Sequence, residues 1–303
     1  MKFSRKLLNS FKTPSGSGDN QARSDRKNDK SEDALNAGEG VADPPPAYES
    51  HGTRAESTPY SKEQGLVAST AEDPYAFLSS FETVFLIDDS RSMRGGSWRE
   101  VQLALRDITP ICVAHDADGI DLYFLNHQTG EEGDANQGKA SSGFYKIRKS
   151  KTVEEIFDEV HPQGATFTGR RLHHILQPYL RLLERNKRDF KSVNPLNIIV
   201  ITDGAPCDDV EAPIITAAKK LDKLDAPPHQ LGIQFFQVGS DAGAKEALRQ
   251  LDDGLKDVRD IVDTVTWKDG EPGKLDSDQI LKALLGAVIK RLDRIPARGE
   301  GSH

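Results

Sequence analysis

The chain has 303 residues, enough for one large α/β domain or two small ones, but only 36% are hydrophobic and 29% are charged, so one core cannot fill its whole length. A formal net charge of −8 argues against a nucleic-acid-binding protein whose affinity depends on neutralising phosphates. Only two cysteines occur, Cys112 and Cys207, which excludes a dense disulfide framework. No apolar run approaches the ~18 residues of a membrane span, and the N-terminus lacks a secretory signal core. We therefore expect a cytoplasmic protein.

Residues 1–72 are predicted to form a disordered N-terminal arm. The stretch from Thr13 to Ser57 consists mainly of Ser, Gly, Asp, Asn, Lys and Pro, which offer almost nothing to bury. The arm begins with a basic segment, residues 1–12, in which four apolar residues fall roughly on one helical face: Phe3, Leu7, Leu8 and Phe11. Weak contact with an anionic membrane surface stays open, but one short helix binds weakly, so a basic start to a disordered tail is favoured.

Within the arm, Pro45, Pro46, Ala47 and Tyr48 spell P-P-x-Y. Prolines stiffen a loose segment into an extended left-handed helix, which aromatic grooves bind at low entropic cost. The usual readers of this motif are WW domains, including those of Nedd4-type ubiquitin ligases. The alternative is that the prolines belong to an ordinary disordered linker.

From residue 75 onward, predicted strands alternate with predicted helices. Such alternation indicates an α/β fold with a mostly parallel sheet covered by helices on both faces. In chain order the predicted elements are a strand at 84–87, a helix at 98–115, a strand at 120–125, an edge strand at 144–147, a helix at 152–160, a helix at 170–188, a strand at 197–201, a helix at 211–224, a strand at 231–238, a helix at 242–251, a strand at 261–265 and a helix at 277–291.

Two helix starts carry the spacing of a capping box, in which a hydroxyl residue is followed three positions later by glutamate. These pairs are Ser97 with Glu100 and Thr152 with Glu155. We therefore predict that both hydroxyl side chains cap their helices.

Polar side chains follow the first strand at every second position, in FETVFLIDDSRSM. Asp88, Ser90 and Ser92 offer one carboxylate and two hydroxyls directly after a buried strand. Hard oxygen ligands of this kind suit Mg²⁺ better than Zn²⁺ or copper. On this stretch alone, a polar turn whose serines cap the next helix is an equal alternative.

Two later stretches favour the metal site. Thr166 lies in G-A-T-F-T-G before a predicted helix, and Asp203 ends the apolar strand NIIVI. Because the carboxyl ends of parallel strands meet at one edge of a sheet, these residues are expected to converge with Asp88, Ser90 and Ser92. Three hydroxyls and two carboxylates, with waters or an outside ligand, complete the oxygen octahedron that Mg²⁺ requires.

The ordered motif of Asp88-x-Ser90-x-Ser92, Thr166 and Asp203 resembles the metal-ion-dependent adhesion site of von Willebrand factor type A domains. The resemblance covers residues 78–294, followed by a flexible tail at 295–303. It implies a Rossmann-like, doubly wound, six-stranded sheet with one antiparallel edge strand. It also implies that the serines and the threonine bind Mg²⁺ or Mn²⁺ directly, while the aspartates often act through waters. Within the family the chain looks most like intracellular fungal proteins.

This resemblance implies a protein-binding module, not an enzyme, in which a partner's carboxylate completes the metal site. The alternative is a Mg²⁺-dependent phosphotransferase or hydrolase with Asp88 or Asp89 as the nucleophile. Phosphatases that resemble haloacid dehalogenases usually need a second Asp at the position of Ser90, which weighs against them. The pair Asp208-Asp209 is expected to begin the next helix.

Overall fold

The structure, a computed structural model, describes residue 70 and residues 72–116, 118–255, 258–265 and 280–281. All of the predicted arm except residues 70 and 72, the C-terminal tail and most of the predicted helix at 277–291 lie outside the described residues. Within the described part of the chain, no helix is both long and apolar enough to cross a membrane.

Six strands form one sheet in the order β3-β2-β1-β4-β5-β6. Every neighbouring pair is parallel except β2 and β3, which run antiparallel at the edge. The predicted fold class is therefore confirmed. The first and last residues of each strand lie within two positions of the predicted ones. The strands are β1 (Glu82–Ile87), β2 (Ile120–Phe124), β3 (Phe144–Ile147), β4 (Leu196–Thr202), β5 (Leu231–Gln237) and β6 (Val262–Val265).

Five helices cover the two faces of the sheet in the described part of the chain. They are α1 (Gly96–His115), α2 (Ser150–Glu159), α3 (Thr168–Arg185), α4 (Glu211–Leu224) and α5 (Ala242–Gly254). Alternate residues of β1 point to opposite faces, so Phe85 packs with α1 and α2 while Leu86 packs with α3, α4 and α5. Burial on both faces explains why the central strands are almost continuously apolar.

The capping-box predictions are wrong at both helices. Helix α1 begins at Gly96, with Gly95 at a φ of 91° as its N-cap, so Ser97 lies inside the first turn. Helix α2 begins at Ser150, and Thr152 likewise lies inside the helix. Neither N-cap makes a side-chain hydrogen bond. The chain enters each helix two residues before the predicted start, so the hydroxyls lie past the position at which they cap.

A histidine ties the end of α1 to the segment that precedes β1. His115 places Nε2 2.8 Å from Asp73 Oδ1 and Nδ1 2.9 Å from the carbonyl oxygen of Ile111. Burial lowers the pKa of His115, but the hydrogen bonds to Ile111 and to Asp73 raise it further, so the net shift is upward. The imidazolium donates to both oxygens, which the neutral ring cannot do.

Because the folded pKa of His115 lies above the unfolded value of about 6.5, its contribution to stability is present below that pH and disappears as the pH rises through the folded value. We therefore expect His115→Gln to lower the free energy of unfolding more at pH 5.5 than at pH 8. Urea unfolding at both pH values measures this difference. His173→Gln, at an exposed histidine of α3, is the matched control for the substitution itself. Equal losses for His115→Gln at both pH values would contradict the assignment.

Candidate functional site

Strands β1 and β4 are neighbours, so their ends bring two distant aspartates to one edge of the sheet. Ile87 pairs with Ile201, and the Asp88 amide donates to the Ile201 carbonyl oxygen at 2.9 Å. Asp203 follows β4 directly. The carboxyl ends of both central strands thus carry a carboxylate, as the strand pattern predicts.

A chain of hydrogen bonds links four of the five predicted site residues. Ser92 Oγ donates to Asp203 Oδ1 at 2.7 Å and lies 3.0 Å from Ser90 Oγ. The Ser90 amide donates to Asp88 Oδ1 at 2.8 Å. Asp88 and Ser90 are buried, whereas Ser92 is exposed, so the group opens to solvent on one side.

Thr166, the fifth residue, reaches the same space from the loop before α3. A Cβ added at Gly204 would lie 3.9 Å from both Ser92 Oγ and Thr166 Oγ1. The loop is held by the Cys207 amide, which donates to the Thr166 carbonyl oxygen at 2.8 Å. Because residue 204 has no side chain, the two hydroxyls share an open gap beside it.

Asp89 points away from this cluster, although it is adjacent to Asp88. Its Oδ1 accepts from the Asn126 amide at 2.7 Å and from Asn126 Nδ2 at 3.1 Å, while Oδ2 accepts from the His127 amide at 2.8 Å. Burial raises the pKa of Asp89, and the hydrogen bonds from Asn126 and His127 lower it, leaving a net rise. Both oxygens serve to fix the loop after β2, so Asp89 is poorly placed to act as a nucleophile.

The sequence reasoning missed two residues that support the cluster. Thr202 Oγ1 donates to Asp88 Oδ2 at 2.6 Å, which fixes the second oxygen of that carboxylate. Asp208 accepts from the Gly169 and Arg170 amides at 3.0 and 2.7 Å and so caps α3. Thr202 had a detectable signal, because it stands beside Asp203 at the end of an apolar strand. Asp208 had none, since α3 lies 39 residues earlier in the chain.

The expectation for Asp208-Asp209 is thus half correct. Asp209 Oδ1 accepts from the Ala212 amide at 3.0 Å and begins α4 as predicted. Asp208 instead serves the earlier helix α3. The two carboxylates point to two different helices because the loop between β4 and α4 passes the start of α3.

The two carboxylates of the cluster lack a cationic partner. Burial raises the pKa of Asp203, the hydrogen bond from Ser92 lowers it and the charge of Asp88 raises it, with a net rise. Among the described residues, neither Asp88 nor Asp203 takes part in an ion pair. A buried carboxylate beside a half-buried one therefore favours a bound cation at this position.

The oxygen spacing fits a small divalent ion. An octahedron with Mg–O bonds of about 2.1 Å has neighbouring oxygens about 3 Å apart. The Ser90 and Ser92 hydroxyl oxygens are separated by 3.0 Å. No group of three or more His, Cys, Asp and Glu side chains suited to a metal occurs in the described part of the chain, and the cluster itself combines two carboxylates with hydroxyls.

A sequence profile now decides the family. The profile of the von Willebrand factor type A domain matches residues 82–263, from the first residue of β1 into β6. The chain belongs to the von Willebrand factor type A domain family. Domains of this family are generally protein-interaction modules. The resemblance inferred from the five motif residues is therefore confirmed at the level of the family.

The chain has low sequence identity and low TM-scores against three solved structures. A D319A mutant of the PilB minor pilin from Streptococcus sanguinis is 10% identical, with a TM-score of 0.40 over 71% of this chain and 62% of its own. The RrgA pilus adhesin from Streptococcus pneumoniae is 18% identical, with a TM-score of 0.23 over 42% and 20%. The human COPII-coat protein Sec24c is 12% identical, with a TM-score of 0.34 over 68% and 32%. The chain thus spans less than two thirds of each protein. No curated protein matches it.

Proposed function

We propose that this chain is a cytoplasmic adaptor whose von Willebrand factor type A domain binds a partner protein through Mg²⁺ or Mn²⁺. The observation that carries the proposal is the convergence of five oxygen-bearing side chains near Gly204, including two carboxylates that form no ion pair among the described residues. The residues that would hold the metal are Asp88, Ser90, Ser92, Thr166 and Asp203. When bound, the ion would supply an electrophilic centre. A carboxylate of the partner could then complete its octahedral coordination.

The division of charge supports binding more than catalysis. Two carboxylates cancel the formal charge of a divalent ion, while the hydroxyls of Ser90, Ser92 and Thr166 add no further charge. The metal therefore keeps affinity for an anionic ligand from outside. No Lys or His lies among the residues that form the cluster, and Asp89, the nearest further acid in sequence, is engaged by Asn126 and His127.

The phosphotransferase alternative makes a different prediction. The proposal requires no hydrolysis of p-nitrophenyl phosphate above background in Mg²⁺. Turnover that disappears in both Asp88→Asn and Asp89→Asn would favour the enzyme and contradict the adaptor. The hydrogen bonds to both oxygens of Asp89 count against that outcome.

The direct test is the stoichiometry of the metal. The full chain is titrated with Mn²⁺, and binding is measured by the relaxation rate of water protons. We expect one bound Mn²⁺ ion per chain, which Mg²⁺ displaces. A pull-down compared in Mg²⁺ and in EDTA then identifies partners that need the metal. An absence of saturable Mn²⁺ binding would overturn the proposal.

The arm adds a second contact to this proposal. We expect the motif of Pro45, Pro46 and Tyr48 to bind WW domains weakly, at about micromolar affinity, because a motif this short fixes few contacts. Tyr48→Ala should abolish this binding and leave metal affinity unchanged. Fluorescence anisotropy with a panel of WW domains, including those of Nedd4-type ubiquitin ligases, measures the effect. Equal binding of wild type and Tyr48→Ala would remove the motif from the proposal.

A further inference from the structure

Two arginines from the loop after β1 lie along the segment 161–167, which carries Thr166. The Arg91 amide donates to the Gly164 carbonyl oxygen at 3.3 Å. Arg94 Nε donates to the Pro162 carbonyl oxygen at 2.8 Å. Both residues are exposed. The Arg94 guanidinium therefore lies against the loop that carries Thr166, and the backbone of Arg91 joins the same loop.

A third arginine approaches the same segment from the first turn of α3. The guanidinium carbon of Arg170 lies 4.6 Å from the centre of the Phe167 ring, a cation–π contact that orders the side chain. Phe167 follows Thr166 directly, so the exposed side chain of Arg170 lies against the residue next to the proposed metal ligand Thr166. We name these residues the arginine strip: Arg91, Arg94 and Arg170.

The arginine strip carries three positive charges. None of its members forms an ion pair in the described part of the chain. Among the described residues, the side chain of Arg94 donates one hydrogen bond, to a neutral carbonyl. A guanidinium carries five donors in a planar fork that matches a carboxylate, so the strip presents several unused donors to solvent.

The acids at the same edge of the sheet are already engaged. Each caps the start of a helix: Asp208 accepts from the Gly169 and Arg170 amides, Asp209 from Ala212 and Asp241 from Ala244. Carboxylates at these positions also offset the positive end of a helix dipole. These three carboxylates are thus held at helix starts, and none of them forms an ion pair with the arginine strip in the described part of the chain.

We infer that the partner presents its metal-binding carboxylate inside a cluster of acidic residues. This inference rests on the proposed function, because the metal fixes one carboxylate and the arginine strip then selects what surrounds it. Flanking Asp or Glu side chains form paired hydrogen bonds with the guanidinium groups. The ligand class is therefore an acidic segment of a protein, bound along the Thr166 loop.

The test is a selection on the full chain. The probe is a peptide library in which one fixed Glu is flanked by four randomised positions on each side, selected in MgCl₂ and in EDTA. For wild type in MgCl₂ we expect Asp and Glu to be enriched about threefold beside the fixed Glu, since exposed ion pairs are individually weak. The double variant Arg91→Gln with Arg170→Gln should lose this enrichment. Arg181→Gln, an exposed arginine farther along α3, should retain it.

A matched pair of synthetic peptides sharpens the result. The best selected peptide and its version with the flanking acids replaced by Asn and Gln should differ about tenfold in affinity for wild type, and less at high salt. That ratio should fall to near one in the double variant. Metal-dependent selection without acidic flanks, or a ratio unchanged in the double variant, overturns the inference and leaves the proposed function standing. If the same peptides are enriched equally in EDTA and in MgCl₂, both the inference and the proposed function are overturned.

Discussion

Asp88→Ala should weaken Mg²⁺ binding by roughly 100-fold while leaving the fold intact. The substitution removes one of the two carboxylates that balance the charge of the ion. It also removes the oxygen that accepts from the Ser90 amide at 2.8 Å, so the loop bearing both serines loses its anchor. Calorimetric titration of Mg²⁺ into wild type and variant measures the change.

Two further variants separate charge from position. Thr202→Val keeps both carboxylates but removes the hydroxyl that donates to Asp88 Oδ2 at 2.6 Å, and should cost about tenfold in affinity. Asp118→Ala is the control, because this exposed aspartate precedes β2 and lies at the opposite edge of the sheet. Unchanged affinity in Asp88→Ala, with the fold verified by circular dichroism, would eliminate the metal assignment.

The convergence of the cluster residues could be predicted because most of them follow a simple spatial rule. Asp88 and Asp203 directly follow strands that are almost continuously apolar, and the ends of adjacent parallel strands must lie close together. Thr166 is different, since it follows no strand. Only its place in a known family pattern connected it to the cluster, and the gap beside Gly204 shows how it arrives there.

The supporting residues could not be predicted, because their partners depend on tertiary contacts. Arg170 and Arg171 are adjacent in sequence, yet the first is exposed and the second is 4% exposed. Arg171 Nε donates to the Phe124 carbonyl oxygen at 2.9 Å and Nη2 to that of Ser142 at 2.6 Å. Burial lowers the pKa of Arg171, although the nearby charge of Asp89 opposes this. No spacing rule shows that this arginine, and not its neighbour, ties α3 to β2.

Helix caps failed for a related reason. A capping box is a local pattern, but the first residue of α1 depends on how the loop after β1 leaves the sheet. Gly95, at a φ of 91°, sets that direction, and the helix begins before Ser97. Local propensity predicted the existence of the helix correctly and its cap wrongly.

Gly169→Ala is expected to destabilise the protein by about 3 kcal/mol, because the first turn of α3 packs directly against backbone. A Cβ at this position would lie 2.0 Å from the Asp209 carbonyl oxygen and 2.7 Å from its carbonyl carbon. Neither atom can move like the end of a flexible side chain. The added methyl must push α3 away from the loop between β4 and α4.

The same displacement should weaken the metal site, since Gly169 follows the Thr166 loop and the displaced segment follows Asp203. Gly96→Ala is a matched control, because Gly96 also lies in the first turn of a helix and a Cβ there meets nothing within 4 Å. Urea unfolding gives the stability of both variants, and Mg²⁺ titration under folding conditions gives their affinities. We expect Gly169→Ala to lose both, and Gly96→Ala to lose neither. Full stability in Gly169→Ala would mean that α3 and the loop after β4 are not in direct contact, and the convergence of Thr166 with Asp203 would fail with it.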